Sequence, residues 1–412
     1  SGNPWVREIP SDWFEKKLRY LVKLRGEKSV TTDYKKYVGL ENIMSQTGQY
    51  VQTGIEVDLT ENLTFEVGDI LFGKLRPYLR KYWRAEFSGT ASSEFVIIKG
   101  SSLNLNFLFW AIQSDSFIND VDSSTYGSKM PRASWEYMKN IKLPFPESIE
   151  EQTQIADFLD KKVAQLDEVK SLLEEQIKTL EDYRQSLIYE TVTKGRDKTV
   201  PLKDSGVDWI GQIPEGWGTG KIKYYAEISA GSTPDRTNEL FWNGDIPWMA
   251  SGEVNQGVVT HTAEKITKLG LRNTSTKLLS KGTVMLALNG QGKTKGTAAI
   301  LNIETASNQS LASFDVNNEV VNGYYLYYYF VSNYSNIRGL KGEDRDGLNL
   351  KLVSNIEIPL PNIDEQLKIA DFLDKKTEQI NQMIAIKKEQ IENINKQLQT
   401  LIYDYVTGKR RV

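Results

Sequence analysis

The 412-residue chain contains no cysteine and a single histidine, His261. The first absence excludes disulfides and thiolate metal sites. The second means that a zinc centre or a Ser/His/Asp triad would rest on one imidazole. No ligand spacing surrounds His261, so it reads as a polar loop residue. No apolar run approaches the roughly 18 residues that span a membrane. The polar opening, Ser1-Gly2-Asn3, has no secretory pattern. No membrane partner is expected, and the missing cysteine fits a cytoplasmic protein. An excess of positive charge is also missing: the net charge is −3 and the pI about 5.7. That weighs mildly against a nucleic-acid partner, because phosphate contacts need Lys and Arg. Basic loops and acidic helices can nevertheless share one chain.

What is present is a repeat. The string IADFLDKK occurs unchanged at Ile155–Lys162 and at Ile369–Lys376, an offset of 214 residues (369 minus 155). The same offset carries Leu187-Ile188-Tyr189 onto Leu401-Ile402-Tyr403. Upstream, Ile141 to Pro146 matches Ile356 to Pro361, and Thr90-Ala91-Ser92 matches Thr305-Ala306-Ser307. Trp5, Ile9, Pro10 and Trp13 match Trp209, Ile213, Pro214 and Trp217. The stretches between these anchors diverge. The chain therefore holds two copies of one plan, a variable region followed by a common helical segment.

The helical segments carry a seven-residue apolar period: Leu159, Leu166, Leu173, Leu180 and Leu187, then Leu373, Ile380, Lys387, Ile394 and Leu401. That period favours a coiled-coil seam. Each segment starts near a Pro-x-Pro stop and has acidic residues in its first turn, where the helix dipole favours them. The period predicts helices of about 38 residues, roughly 57 Å long, that pair with each other inside one chain. The expected fold is α+β: two similar mixed α/β domains joined by two long antiparallel helices in an intramolecular coiled coil, with pseudo-two-fold symmetry. The boundaries are 1–148 and 197–362 for the domains and 149–196 and 363–412 for the helical spacers. An aromatic helix is expected in each half, around Phe107–Ile112 and Tyr324–Phe330. At helical spacing its rings read as a packing face.

Three kinds of loop are candidates for contact with DNA. Leu71 to Trp83 interleaves Lys74, Arg76, Arg80 and Lys81 with Tyr78. Arg grips guanine edges or phosphates with two donors, Lys supplies point charge, and Tyr stacks or bonds to phosphate. The equivalent place in the second half is Asn289-Gly290-Gln291-Gly292-Lys293-Thr294-Lys295. Its Gly-Lys-Thr ending imitates a phosphate-cradling loop, but the glycine five residues earlier is replaced by Ala287, and a strand rather than a helix should follow. Asn289, Gln291, Lys293 and Lys295 are read instead as DNA contacts. A third loop precedes each Pro-x-Pro stop and offers Lys129 and Arg132, or Arg345. No methyltransferase NPPY or DPPY motif, GxGxxG after a strand, nuclease or helicase pattern occurs, so the chain offers no catalytic residues.

This layout resembles the DNA-specificity subunit of type I restriction-modification systems. The resemblance rests on the duplicated plan, the Pro144…Gln152 and Pro361…Gln366 entries, the repeated IADFLDKK, the LIY-x-x-V-T-x-G exits, and Gly231-Ser232-Thr233-Pro234 with Ile246-Pro247-Trp248. It implies two target-recognition domains that read a bipartite, asymmetric site in double-stranded DNA, with the helices setting the gap. It also implies two adenine methyltransferase subunits that bring S-adenosylmethionine. For a restricting complex the resemblance further implies two motor-nuclease subunits using ATP and Mg2+. The chain itself would hold no cofactor. A coiled-coil protein scaffold, a stand-alone DNA-binding regulator and a nucleotide-dependent enzyme using Lys293 are the rival readings.

Overall fold

A computed structural model of the chain describes residues 6, 8–30, 36–53, 61–127, 130–340 and 347–412. The first half runs β1 (Trp13–Lys17), β2 (Val22–Leu24), β3 (Lys28–Val30), β4 (Tyr37–Val38), β5 (Glu61–Phe65), β6 (Ile70–Gly73), β7 (Tyr82–Arg84), β8 (Gly89–Ala91) and β9 (Phe95–Ser101). It continues with α1 (Leu105–Ala111), α2 (Asp115–Ser123), α3 (Trp135–Met138), β10 (Lys142–Pro146) and the long helix α4 (Ile149–Lys194). The second half runs β11 (Leu202–Asp204), β12 (Gln212–Pro214), β13 (Gly218–Lys221), β14 (Ala226–Ala230), β15 (Trp242–Met249), β16 (Val258–Val259), β17 (Glu264–Ile266), α5 (Lys268–Arg272), β18 (Val284–Ala287), β19 (Ala298–Leu301), β20 (Ala306–Ser307) and β21 (Leu311–Val316). It ends with α6 (Gly323–Ser332), α7 (Tyr334–Gly339), α8 (Leu350–Ser354), β22 (Glu357–Leu360) and the long helix α9 (Ile363–Val406). Among the described residues no helix is long and apolar enough to cross a membrane.

The long helices have 46 and 44 residues, about 69 and 66 Å. They exceed the length expected from the heptads because only two residues separate each from the strand before it. There a glutamine closes the first turn: Gln152 Nε2 donates to the Pro146 carbonyl, and Gln366 Nε2 to the Pro361 carbonyl. The compact units cut across the consecutive segments. Unit 1 comprises residues 1–174 and 388–412, and unit 2 residues 175–387.

In unit 1 the sheets are β2-β9-β6-β7 and β3-β5-β8-β4, with β1 paired to β10. β6 is buried on both faces. Ile70 and Phe72 join the main core with Phe107, Phe117, Ile155 and Leu159, while Leu71 joins a second core with Phe65 and Trp83. That division follows from the two-residue period of a strand and explains the unbroken apolar run. The start of α4 and the end of α9 complete the main core, where Phe158 stacks on Tyr405 with ring centroids 4.5 Å apart.

In unit 2 the sheets are β14-β21-β18-β19-β16 and β17-β15-β20, with β13 paired to β22. β18 repeats the division: Val284 and Leu286 face one core, Met285 and Ala287 another. The end of α4 lies along the start of α9. Arg184 donates to Asn381, and Lys387 Nζ donates to Gln176 Oε1 at 2.5 Å. As residue number rises on one helix it falls on the other, so the pair is antiparallel. The odd Lys387 of the apolar period is thus accommodated by an amide on the facing helix.

The repeated octapeptide now has a physical cause. Ile155, Ala156 and Leu159 are buried in unit 1, as Ile369, Ala370 and Leu373 are in unit 2. Asp160 accepts the indole N–H of Trp110 on α1 at 2.8 Å, and Asp374 accepts the Tyr328 hydroxyl on α6 at 2.6 Å. The tyrosines of α6 pack as expected. Tyr325 and Tyr329 are fully buried, and their hydroxyls donate to the carbonyls of Val192, Pro359 and Glu357.

Candidate nucleic-acid interface

β6 and β7 are hydrogen-bonded neighbours, so residues 74–81 form the hairpin between them. β18 and β19 stand in the same relation, with residues 288–297 between them. Both hairpins meet two further loops through equivalent backbone bonds. In unit 1 the Lys74 N–H donates to the Glu94 carbonyl (2.8 Å), and the Ala133 N–H donates to the Lys74 carbonyl (2.9 Å). In unit 2 the Leu288 N–H donates to the Ser310 carbonyl (2.8 Å), and the Leu348 N–H to the Leu288 carbonyl (3.2 Å). Each unit therefore brings three loops to one junction: the hairpin, the turn entering β9 or β21, and the loop before α3 or α8.

The unit 1 junction is charged. Arg132 pairs with Glu94 at 2.5 Å, and Lys74 lies beside them, half-buried. Burial pushes the Lys74 ammonium below its usual pKa; Glu94 opposes this shift and Arg132 adds to it. Arg76 and Arg80 both have positive φ, +51° and +54°, an uncommon backbone state for side chains with a Cβ. Arg76 is held there by its N–H on the Pro131 carbonyl at 2.7 Å. Arg80 directs its guanidinium inward, to the Asp115 carboxylate, the Gln113 carbonyl and Gln399 Oε1. Lys81 likewise donates to the carbonyls of Leu40 (2.6 Å) and Ile43 (2.9 Å), and burial lowers its pKa. Arg80 and Lys81 thus fasten the hairpin to the body of the unit. Tyr78 and Arg132 are the exposed members of the group. Lys129 lies outside the described residues.

The unit 2 junction has Leu288, Ser310 and Gly347 where unit 1 has Lys74, Glu94 and Arg132. Its hairpin carries two amides beside two lysines. Asn289, Gln291 and Lys293 are exposed, and Lys295 is half-buried. The carbonyls of Lys293 and Lys295 accept from Tyr334 Oη and Arg338 Nη1, both at 2.9 Å, so α7 holds the hairpin. Gly292 sits at φ +58°, which glycine adopts without a Cβ penalty. The chain then returns to β19, and no helix follows to hold a triphosphate. Arg345 lies outside the described residues.

The turns entering β9 and β21 were not singled out by the sequence reading. They place Glu94 beside the first hairpin and Ser310 beside the second, and Gln309 Oε1, one residue earlier, accepts from Thr233 at 2.6 Å. The repeated Thr-Ala-Ser that immediately precedes both turns was the available signal. His261 is an exposed loop residue whose ring touches Thr260. Among the described residues no group of three or more His, Asp or Glu side chains could hold a metal ion.

Residues 10–180 and 214–394 both match the family described as the type I restriction modification DNA specificity domain. The chain is 27% identical to the type I restriction enzyme MjaVIII specificity subunit of Methanocaldococcus jannaschii, over 98% of this chain and 94% of that protein. It is 26% identical to the EcoR124I/EcoR124II specificity subunit of Escherichia coli, over 58% of this chain and 55% of that protein. Among solved structures, it shares its fold with a chain solved for the "Structural basis underlying complex assembly and conformational transition of the type I R-M system": TM-score 0.78, 19% identity, 97% and 98% of the two chains covered. The HsdS subunit of Thermoanaerobacter tengcongensis gives a TM-score of 0.55 at 20% identity, with 98% of both chains covered. With one match in each half and the same three-loop junction built twice, the chain belongs to the type I restriction-modification DNA specificity family.

Proposed function

We infer that this chain is the sequence-reading, non-catalytic subunit of a type I restriction-modification complex. Each half reads one part of a bipartite, asymmetric DNA site and so directs an adenine methyltransferase to it. The observation that carries this reading is the pair of junctions, which share a backbone and differ in side chains. Register comes from the shared frame, and base choice comes from groups that differ. Unequal groups call for unequal half-sites. Lys74, Arg76, Tyr78 and Arg132 are the proposed contacts of the first half, with Arg80 and Lys81 setting the hairpin. Asn289, Gln291, Lys293 and Lys295 are those of the second. Lys129 and Arg345 are proposed on their sequence positions. Paired helices of fixed length would set the gap between half-sites, as spaced recognition elements do in other DNA readers.

Two methyltransferase subunits would supply S-adenosylmethionine, and two motor-nuclease subunits would add ATP- and Mg2+-dependent cleavage, all in the cytoplasm. The test is adenine-methylation mapping of DNA from cells carrying the chain with its methyltransferase, against cells lacking the chain. A split, asymmetric motif that appears only with the chain is expected. An unchanged methylation pattern would return the scaffold and lone-regulator readings.

A further inference from the structure

Far from the divergent loops, one short surface is the same in both halves. Lys17-Leu18-Arg19-Tyr20 begins on the last residue of β1, and Lys221-Ile222-Lys223-Tyr224 on the last residue of β13. Both run through a single 3-10 turn. The burial order is identical: a half-buried lysine, a fully buried aliphatic, then an exposed cation and an exposed tyrosine. Tyr20 is 67% exposed and Tyr224 71%. In each turn the cation lies over the ring of the tyrosine that follows it, Arg19 at 5.0 Å and Lys223 at 5.2 Å from the centroid. The turns are anchored alike, by the Leu18 N–H on the Ile141 carbonyl (2.9 Å) and the Ile222 N–H on the Ile356 carbonyl (3.0 Å).

The buried Leu18 and Ile222 explain why an aliphatic is repeated. They do not explain the tyrosine and cation, which bury little within the unit, although Lys223 Nζ also donates to Asn355 Oδ1 at 2.8 Å. Divergent loops suit two different base sequences, whereas a repeated surface suits one ligand met twice. Two such ligands exist in the proposed complex, the phosphate backbone and a partner protein present in two copies.

Position favours the protein. In unit 1 the hairpin end of the sheet is where Gly73 pairs with Phe95, and the turn lies beyond the opposite end, where Val22 pairs with Ser101. Six residues of strand separate these points, about 20 Å. In unit 2 the same two ends are the Ala287–Leu311 and Ala226–Val316 pairs. Residue type agrees, because tyrosine and arginine are enriched among the side chains that dominate protein–protein binding energy.

We propose that Arg19-Tyr20 and Lys223-Tyr224 are two equivalent docking points for the same carboxylate-bearing surface on two copies of one protein, the methyltransferase subunit. This rests on the function inferred above. The test uses the full chain with purified methyltransferase subunit, and counts bound subunits by native mass spectrometry. Wild type should bind two. Arg19→Glu with Tyr20→Ala should weaken one site by roughly tenfold or more and leave a one-subunit species at limiting concentration. Lys223→Glu with Tyr224→Ala should do the same, and the combination should lose both. Arg19→Lys, which copies the second half, should keep two. Thermal unfolding of the isolated variants should match wild type, since the altered groups are exposed.

Two subunits bound with unchanged affinity in every variant would overturn the docking points alone. So would an unchanged subunit count with weaker DNA binding and a shallower salt dependence, which would assign the turns to phosphates. A wild-type chain that binds no methyltransferase would instead sink the inferred function, and the docking points with it.

Discussion

The two loop junctions have one backbone and two chemistries. In unit 1 the three meeting positions are Lys74, Glu94 and Ala133, the last preceded by Arg132; in unit 2 they are Leu288, Ser310 and Leu348, the last preceded by Gly347, with Asn289 and Gln309 next in sequence to Leu288 and Ser310. The hairpins are also tied down in opposite senses. Arg80 reaches from the first hairpin into the body of its unit, whereas Tyr334 and Arg338 reach from α7 onto the carbonyls of the second. A frame held by main-chain bonds tolerates exchange of the side chains it presents. Charged groups suit guanine and phosphate, and amides suit adenine, so the same frame can serve unlike half-sites.

The comparison can be broken first at the frame. Gln366 is fully buried, donates to the carbonyls of Val320 and Pro361, and accepts from the Asn322 N–H. Gln152 makes only the last two kinds of bond, to Pro146 and from Asn104. Gln366→Ala should cost about 3 kcal/mol and Gln152→Ala about 2 kcal/mol, because stranded buried partners lose their bonds. Urea unfolding, with hydrogen exchange resolved by unit, measures both. Equal losses would mean that the Val320 bond contributes nothing.

A second cut tests the chemistry. In the assembled methyltransferase, Arg132→Ala should relax discrimination at one base pair of one half-site by about 1–3 kcal/mol and flatten the salt dependence by about one unit of slope. Gln291→Ala should relax the other half-site and leave the slope unchanged. Methylation mapping reads both outcomes, and relaxation of the same half-site by both variants would refute the assignment of one half-site to each half.

The smallest expected difference lies in alkali. Burial raises the Tyr325, Tyr328 and Tyr329 hydroxyls of unit 2 well above their ordinary value of 10, and raises Tyr82 of unit 1 likewise. A phenol whose pKa is raised by folding contributes stability that is complete below pH 10 and is lost as pH rises past it. Tyr324 and Tyr327 of unit 2 and Tyr137 of unit 1 are raised as well, so with five such groups against two, unit 2 should lose protection first. Hydrogen exchange above pH 10 checks the order; earlier loss in unit 1 would contradict it.

Much of this was legible in the residues. The exact octapeptide repeat located two equivalent cores, because apolar positions at a fixed helical period have few ways to be buried. The Gly292-Lys293-Thr294 turn was readable as a hairpin because Ala287 breaks the phosphate-loop pattern and no helix-forming stretch follows. The roles of Arg80 and Lys81 were not readable. They sit beside Tyr78 in sequence, but their partners Asp115 and Leu40 lie some 35 to 41 residues away. Glu94 and Gln309 were hidden for a related reason: the repeated Thr-Ala-Ser marks their turns as equivalent, but nothing local says that a turn some twenty residues away will meet the hairpin.

By itself, the sequence determined that there are two copies of one plan, that each ends in a long apolar-seamed helix, and that the loops between the anchors differ. Periodicity and identity are local properties, and a chain states them residue by residue. Only the tertiary structure decided that each compact unit takes the start of one long helix and the end of the other, and which basic side chains are committed inside the fold. It also decided which three loops share a junction. Those outcomes depend on strand neighbours and on burial across long sequence separations, where the competition for hydrogen-bond partners is settled by packing rather than by local pattern.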